Sequence, residues 1–232
     1  MPGPEQLTFA LPVAESRARG DFFVAPSNAL AFQMLENWQD WPTGKLILIG
    51  PEGAGKSHLA GIWLANSEAL EVAPKALANA DISALASRNI LLDDCDHLAG
   101  DRAYDEALFH LHNALQARGN ALLLCARTPP RDWGTALADL QSRLEAIATC
   151  RIGAPDQSLL AAVLVKLFAD RQIAVPPNVI AYLTPRMERS LKSAAQLVDT
   201  IDKIALAEKR EISRKLAAQA LEMLDKDAGQ GA

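Results

Sequence analysis

A basic excess is missing from this chain: 23 lysines and arginines face 28 aspartates and glutamates, for a formal net charge of −5. That excludes the broad cationic footprint of a domain that coats nucleic acid, while leaving local basic patches open. Long apolar runs are missing too. No stretch approaches the ~20 residues that cross a bilayer, and the N-terminus lacks the charged-then-apolar order of a secretory signal. Cysteine is scarce. Cys95, Cys125 and Cys150 lie far apart, each in or beside an apolar run. Such thiols read as reduced and buried in strands, which points to a cytoplasmic protein rather than a disulfide-stapled one. His110 and His112, two apart, diverge on a helix and make no metal pattern.

What is present is ample core material: 232 residues, half of them apolar, enough for a medium domain with a smaller one attached. Residues 1–20 are rich in proline, glycine and charge and read as a flexible tail. They carry one apolar island, Gln6-Leu7-Thr8-Phe9-Ala10-Leu11. Residues 21–155 alternate between helical and strand-like patterns. A helix is expected over 29–38, with Leu30, Met34, Leu35 and Trp38 on one face and Ser27 or Asn28 as its cap. Apolar runs at 46–49, 90–92 and 121–126 read as buried parallel strands. Helices are expected over 57–66 and 104–118, the second stopped by Gly119. Strands alternating with helices give an α/β fold, a parallel sheet covered on both faces. Strand-like runs then disappear. Residues 156–228 show helical spacing in three segments, punctuated by Pro176, Pro177 and Pro185, and read as a small all-helical domain.

The chemistry concentrates in Gly50-Pro51-Glu52-Gly53-Ala54-Gly55-Lys56-Ser57, which fits G-x-x-x-x-G-K-[ST] in full. The glycines Gly50, Gly53 and Gly55 let the backbone wrap phosphate oxygens, and the helix that follows points its N-terminus at the same anion. Lys56 would neutralise the outer phosphates and the Ser57 hydroxyl would ligate Mg²⁺. The preceding strand and following helix supply the context that the motif requires. Asp93 and Asp94 close another apolar strand at the edge where α/β ligands bind. Asp93 is the expected second Mg²⁺ partner, and Asp94 the group that orients or deprotonates a water.

Several blocks, in order, resemble the DnaA family of bacterial replication initiators: Phe22-Phe23-Val24 with Ser27-Asn28; Gly55-Lys56-Ser57-His58-Leu59; Leu92-Asp93-Asp94; Pro129-Pro130; Leu140-Gln141-Ser142-Arg143; and Met187-Glu188-Arg189-Ser190-Leu191. The resemblance covers about residues 22–225. It implies an AAA+ αβα nucleotide domain followed by a helical lid, with ADP or ATP and Mg²⁺ as cofactors. It makes Arg143 an arginine finger acting on a neighbour's nucleotide, and Arg189 a lid arginine for the chain's own phosphates. It places Phe23, Asn28 and His58 around the nucleotide. The family usually sets a polar sensor just after the third strand, where this chain has Arg127-Thr128, and Thr128 is the candidate. The short frame around the AAA+ core is similar to Hda-type regulators, which restrain the initiator. In those, an N-terminal peptide binds the polymerase sliding clamp, and Gln6, Leu7, Phe9 and Leu11 fit its pattern. The implied partners are the clamp and the DnaA AAA+ domain, with a homo-oligomer open. No sequence-specific DNA contact and no membrane contact is expected. The implied function is negative regulation of replication initiation, by stimulated hydrolysis of DnaA-bound ATP. Two other readings stay open: an independent AAA+ ATPase of the helicase-loader kind, and a non-catalytic nucleotide-dependent assembly module.

Overall fold

The structure is a computed structural model and describes residues 22–230. Five strands, β1 Lys45–Ile49, β2 Leu70–Glu71, β3 Ile90–Leu92, β4 Leu122–Ala126 and β5 Ala148–Arg151, form a sheet in the order β2-β3-β4-β1-β5. All four pairings are parallel. Helix α1 Ala29–Glu36 precedes β1, and between the strands run α2 Lys56–Asn66, the short α3 Pro74–Leu77 and α4 Ile82–Leu85, α5 Arg102–Arg118 and α6 Ala138–Glu145. After β5 come only helices: α7 Gln157–Asp170, α8 Pro177–Leu183, α9 Leu191–Glu208 and α10 Arg214–Gln230.

The central strands β1 and β4 are buried at every position because helices cover both sides of the sheet. Alternation along each strand sorts their side chains into two layers. Ile47, Ile49, Leu122 and Leu124 pack with Leu108, Leu111 and Leu115 of α5 and Leu140 and Leu144 of α6. Leu46, Leu48, Leu123 and Cys125 pack with Ala31 and Leu35 of α1 and Leu59 and Trp63 of α2. A third core, including Leu164, Phe168, Leu183, Leu197, Ile201 and Leu216, holds α7 to α10 together. Each such fully buried side chain contributes on the order of 2 kcal/mol. The long helices start at capping side chains. Asp101, Asp156 and Ser190 accept from Tyr104, Leu159 and Ser193 amides at 2.9, 2.8 and 3.2 Å.

Several expectations are corrected. Helix α1 ends at Glu36, and its inward residues are Ala31 and Leu35, while Leu30 is exposed. Asn28 precedes α1 without capping it. Cys95 sits in a one-turn helix after β3 rather than in a strand, and its thiol donates to the Cys125 carbonyl at 3.2 Å. All three thiols are buried. Strand β5 has no apolar run to betray it: at the sheet edge it buries one residue of four outright, Cys150. Pro177, expected to lie in a gap, is instead the first residue of α8, where its missing N–H is harmless and its fixed φ suits a helix.

Candidate nucleotide site

Parallel strands share one carboxyl edge, so the residues that follow β1, β3 and β4 gather there. The chain leaves β1 into Gly50, whose N–H donates to the Ala126 carbonyl at 3.1 Å and roots the loop on β4. A Cβ on Gly50 would stand 2.4 Å from Ile152 Cγ2 and 2.7 Å from the Ile152 carbonyl oxygen, so only glycine fits. Gly53 has φ +71°, and a Cβ there would meet Ser190 Oγ at 2.0 Å. Gly55 leads into α2. Lys56 is buried, and its ammonium donates to the Gly50 and Pro51 carbonyls at 2.8 and 3.1 Å. A buried cation, the N-terminus of an 11-residue helix and a glycine-rich loop fit a phosphate group.

Ser57, next in α2, is exposed. Asp93 is half-buried, and its Oδ1 accepts the Asp94 amide at 2.9 Å. Asp94 is exposed with φ +57°, and its carboxylate lies 3.5 Å from His97 Nε2 and 3.6 Å from Arg127 Nε. No cluster of three histidine, cysteine or carboxylate ligands occurs among the described residues. A Mg²⁺ held as in P-loop proteins needs none, since phosphate oxygens and water complete its shell.

In the segment that the resemblance sets near the base, Phe22 rather than Phe23 makes the aromatic contacts. Its ring stacks on Phe32 at 5.4 Å and meets His58 edge-on at 5.4 Å. Phe23 is exposed. Asn28 is buried and engaged within its own segment, accepting the Ala25 amide at 2.8 Å and donating to the Phe23 carbonyl at 2.9 Å. It shapes the turn that carries the phenylalanines.

The sensor position resolves into two residues with different partners. Asp96 Oδ2 accepts the Arg127 amide at 2.8 Å and the Thr128 amide and hydroxyl at 3.1 and 3.2 Å. Thr128 is thereby turned to Asp96, and the guanidinium of Arg127 extends over the loop edge. Sequence reasoning missed Asp96; its place three residues after Asp93 was the only signal.

Two arginines complete the picture. Arg189 is exposed, donates from Nε to the Pro155 carbonyl at 3.0 Å, and immediately precedes Ser190, which faces Gly53. Arg143 lies on α6 with its guanidinium 5.0 Å above the Phe109 ring. Among the described residues no carboxylate pairs with it. Its charge bears on Lys45 and His112, helping to lower both pKa values after burial itself. Lys45 opens β1 and the phosphate loop follows its far end; five strand residues span roughly 15 Å. Arg143 lies in the last turn of α6, which leads into β5, and β5 begins beside Leu46 near the start of β1, so Arg143 sits toward the sheet edge opposite the 50–55 loop. Gln6, Leu7, Phe9 and Leu11 lie outside the described residues. Among the described residues no helix is long and apolar enough to cross a membrane.

Comparison with known proteins agrees with this fold. The family described as Hda, lid domain, matches residues 156–226. The chain is 26% identical over 223 residues to the chromosomal replication initiator protein DnaA of Thermomicrobium roseum, covering 86% of this chain and 48% of that one. It is 25% identical over 227 residues to DnaA 2 of Chlamydia caviae, covering 87% and 48%. The chain thus spans about half the length of these relatives. Domain III of Thermotoga maritima DnaA superposes with a TM-score of 0.78 at 17% identity, covering 91% of this chain and 98% of that one. A DnaA structure bound to AMPPCP and single-stranded DNA superposes with a TM-score of 0.67 at 19% identity, covering 82% and 67%. The chain thus has the AAA+ fold, is similar in sequence to DnaA, and carries over residues 156–226 a lid that matches the Hda type.

Proposed function

We propose that this chain binds an adenine nucleotide in its phosphate loop and restrains replication initiation by promoting hydrolysis of ATP held on a DnaA partner. The observation that carries the second half is the placement of Arg143: exposed, without a carboxylate partner among the described residues, and away from the chain's own loop. An arginine so placed serves a neighbour's phosphates, where it stabilises transition-state charge in trans. Lys56, the α2 N-terminus and the lid hold the chain's own nucleotide. Ser57 and Asp93 are the residues that would hold a Mg²⁺, which when bound screens phosphate charge. Gln6, Leu7, Phe9 and Leu11 anchor the chain to the sliding clamp by apolar side chains entering a groove, with the glutamine giving direction.

The test loads labelled ATP on DnaA and adds this chain, DNA-loaded clamp, or both. Conversion to ADP is expected in the complete mixture, and should be lost when Gln6, Leu7 and Phe9 are changed together to alanine. Rapid turnover by the chain alone, without DnaA, would instead favour the independent ATPase. Absence of conversion in every mixture would refute the regulatory reading.

A further inference from the structure

We propose that Glu52, in the variable stretch of the phosphate loop, is a positioning residue that fastens the helical lid and the β4 edge across the nucleotide site, and so sets how fast nucleotide leaves. The proposal rests on the nucleotide reading of the loop. Glu52 Oε1 accepts from Lys192 Nζ of α9 at 2.6 Å, and Oε2 lies 3.2 Å from Arg127 Nη1 at the end of β4. Arg127 Nε is in turn 3.6 Å from Asp94 Oδ1 after β3. The signs alternate through Asp94, Arg127, Glu52 and Lys192, which come from four separate elements.

A second set of contacts joins the same two pieces. The Leu191 amide donates to the Gly53 carbonyl at 2.8 Å, and Ser190, the cap of α9, packs on Gly53. The lid thus grips adjacent residues of the loop by charge through Glu52 and by backbone through Gly53. A carboxylate in a loop that receives a polyanion would repel its ligand. Here both its oxygens face cations, which removes that objection. The hydrogen bond from Lys192, then the charges of Lys192 and Arg127, hold the Glu52 carboxyl below its usual pKa range and keep it ionised.

Magnitude decides what such a network can do. The side chains of Lys192, Glu52 and Arg127 are 60%, 50% and 39% exposed. Exposed pairs contribute little individually, so they slow lid opening severalfold without barring it. Fluorescent ADP released by competition in a stopped-flow instrument should leave Glu52→Gln and Lys192→Met about threefold to tenfold faster than wild type. The double variant should release no faster than the quicker single one, because both remove one interaction. Lys192→Arg should restore slow release, which a merely structural lysine stem would not require. Added salt should speed wild-type release more than that of Glu52→Gln. In the nucleotide-free protein, hydrogen exchange at the Leu191 amide should rise in Glu52→Gln. Wild-type release rates in both single variants, multiplicative effects in the double, or unchanged Leu191 exchange would overturn the clasp. Failure of wild type to bind the probe would instead overturn the nucleotide reading, and Leu191 exchange would still judge the clasp.

Discussion

Replacing Gly53 with alanine tests the contact between loop and lid. The backbone there has φ +71°, and the new Cβ would lie 2.0 Å from Ser190 Oγ and 2.8 Å from Ser190 Cβ. The left-handed conformation itself costs an alanine about 1–2 kcal/mol. Ser190 must also move, and it caps α9 through the Ser193 amide at 3.2 Å. Loosening that cap costs about 1 kcal/mol. Losing the Leu191 amide bond to the Gly53 carbonyl adds about 0.5–1.5 kcal/mol. The expected loss is about 2.5–4.5 kcal/mol, or a melting temperature lowered by roughly 5–18 °C for a chain of this size. Ser190→Gly removes both clashing atoms and leaves Cα at 3.3 Å. By itself it should cost only a few tenths of a kcal/mol, roughly the price of a glycine cap. Combined with Gly53→Ala it should recover about 1–2 kcal/mol by relieving the overlap. Urea denaturation of the four proteins completes the cycle. A Gly53→Ala protein within about 0.5 kcal/mol of wild type, or a Ser190→Gly change that deepens the loss, would refute the contact.

Lys56→Ala removes the buried cation of the loop and should weaken adenine-nucleotide binding about tenfold to a hundredfold, read by equilibrium titration of fluorescent ADP; unchanged affinity would contradict the site. Arg143→Ala should leave folding and nucleotide binding near normal while lowering stimulated hydrolysis of DnaA-bound ATP by on the order of 10³-fold in single turnover. Arg143→Lys should rescue little, because an ammonium lacks the planar fork. In the folded protein, burial and then the charge of Lys45 push the His112 imidazole down to about 4. That is below its unfolded value of about 6.5, so the unfolded chain takes up the proton first. Stability should fall by about 1–2 kcal/mol, allowing for solvent screening, as pH drops from about 6.5 to about 4, and this component should be flat below that window. Denaturation midpoints against pH for wild type and His112→Gln check it, and identical slopes would exclude His112 as the source.

The strand–loop–helix setting of Gly50 to Ser57 was legible because the local requirements of the motif are strict. A phosphate loop must be glycine-rich, must follow a buried strand and must open a helix, so Gly50, Lys56 and Ser57 declared themselves. Runs buried on both faces read as β1, β3 and β4 from apolarity alone. Elements with mixed surroundings did not. Strand β5 is an edge strand with one residue of four buried outright, and α8 is short and opens with a proline. At the aromatic end, Phe22 and Phe23 are adjacent and chemically alike, and only the packing of α1 against α2 selects Phe22.

The order of blocks along the chain by itself determined the αβα architecture, the phosphate loop and the helical lid, because each depends on neighbours within a few residues. Tertiary structure alone decided the rest. It turned Thr128 to Asp96 and freed Arg127 for Glu52. It brought Lys192 to a loop residue 140 positions away. It set Arg143 toward the edge of the sheet opposite the 50–55 loop. Such pairings arise from where parallel strands end and how the lid packs back on them, and no local pattern of residue types encodes that distance.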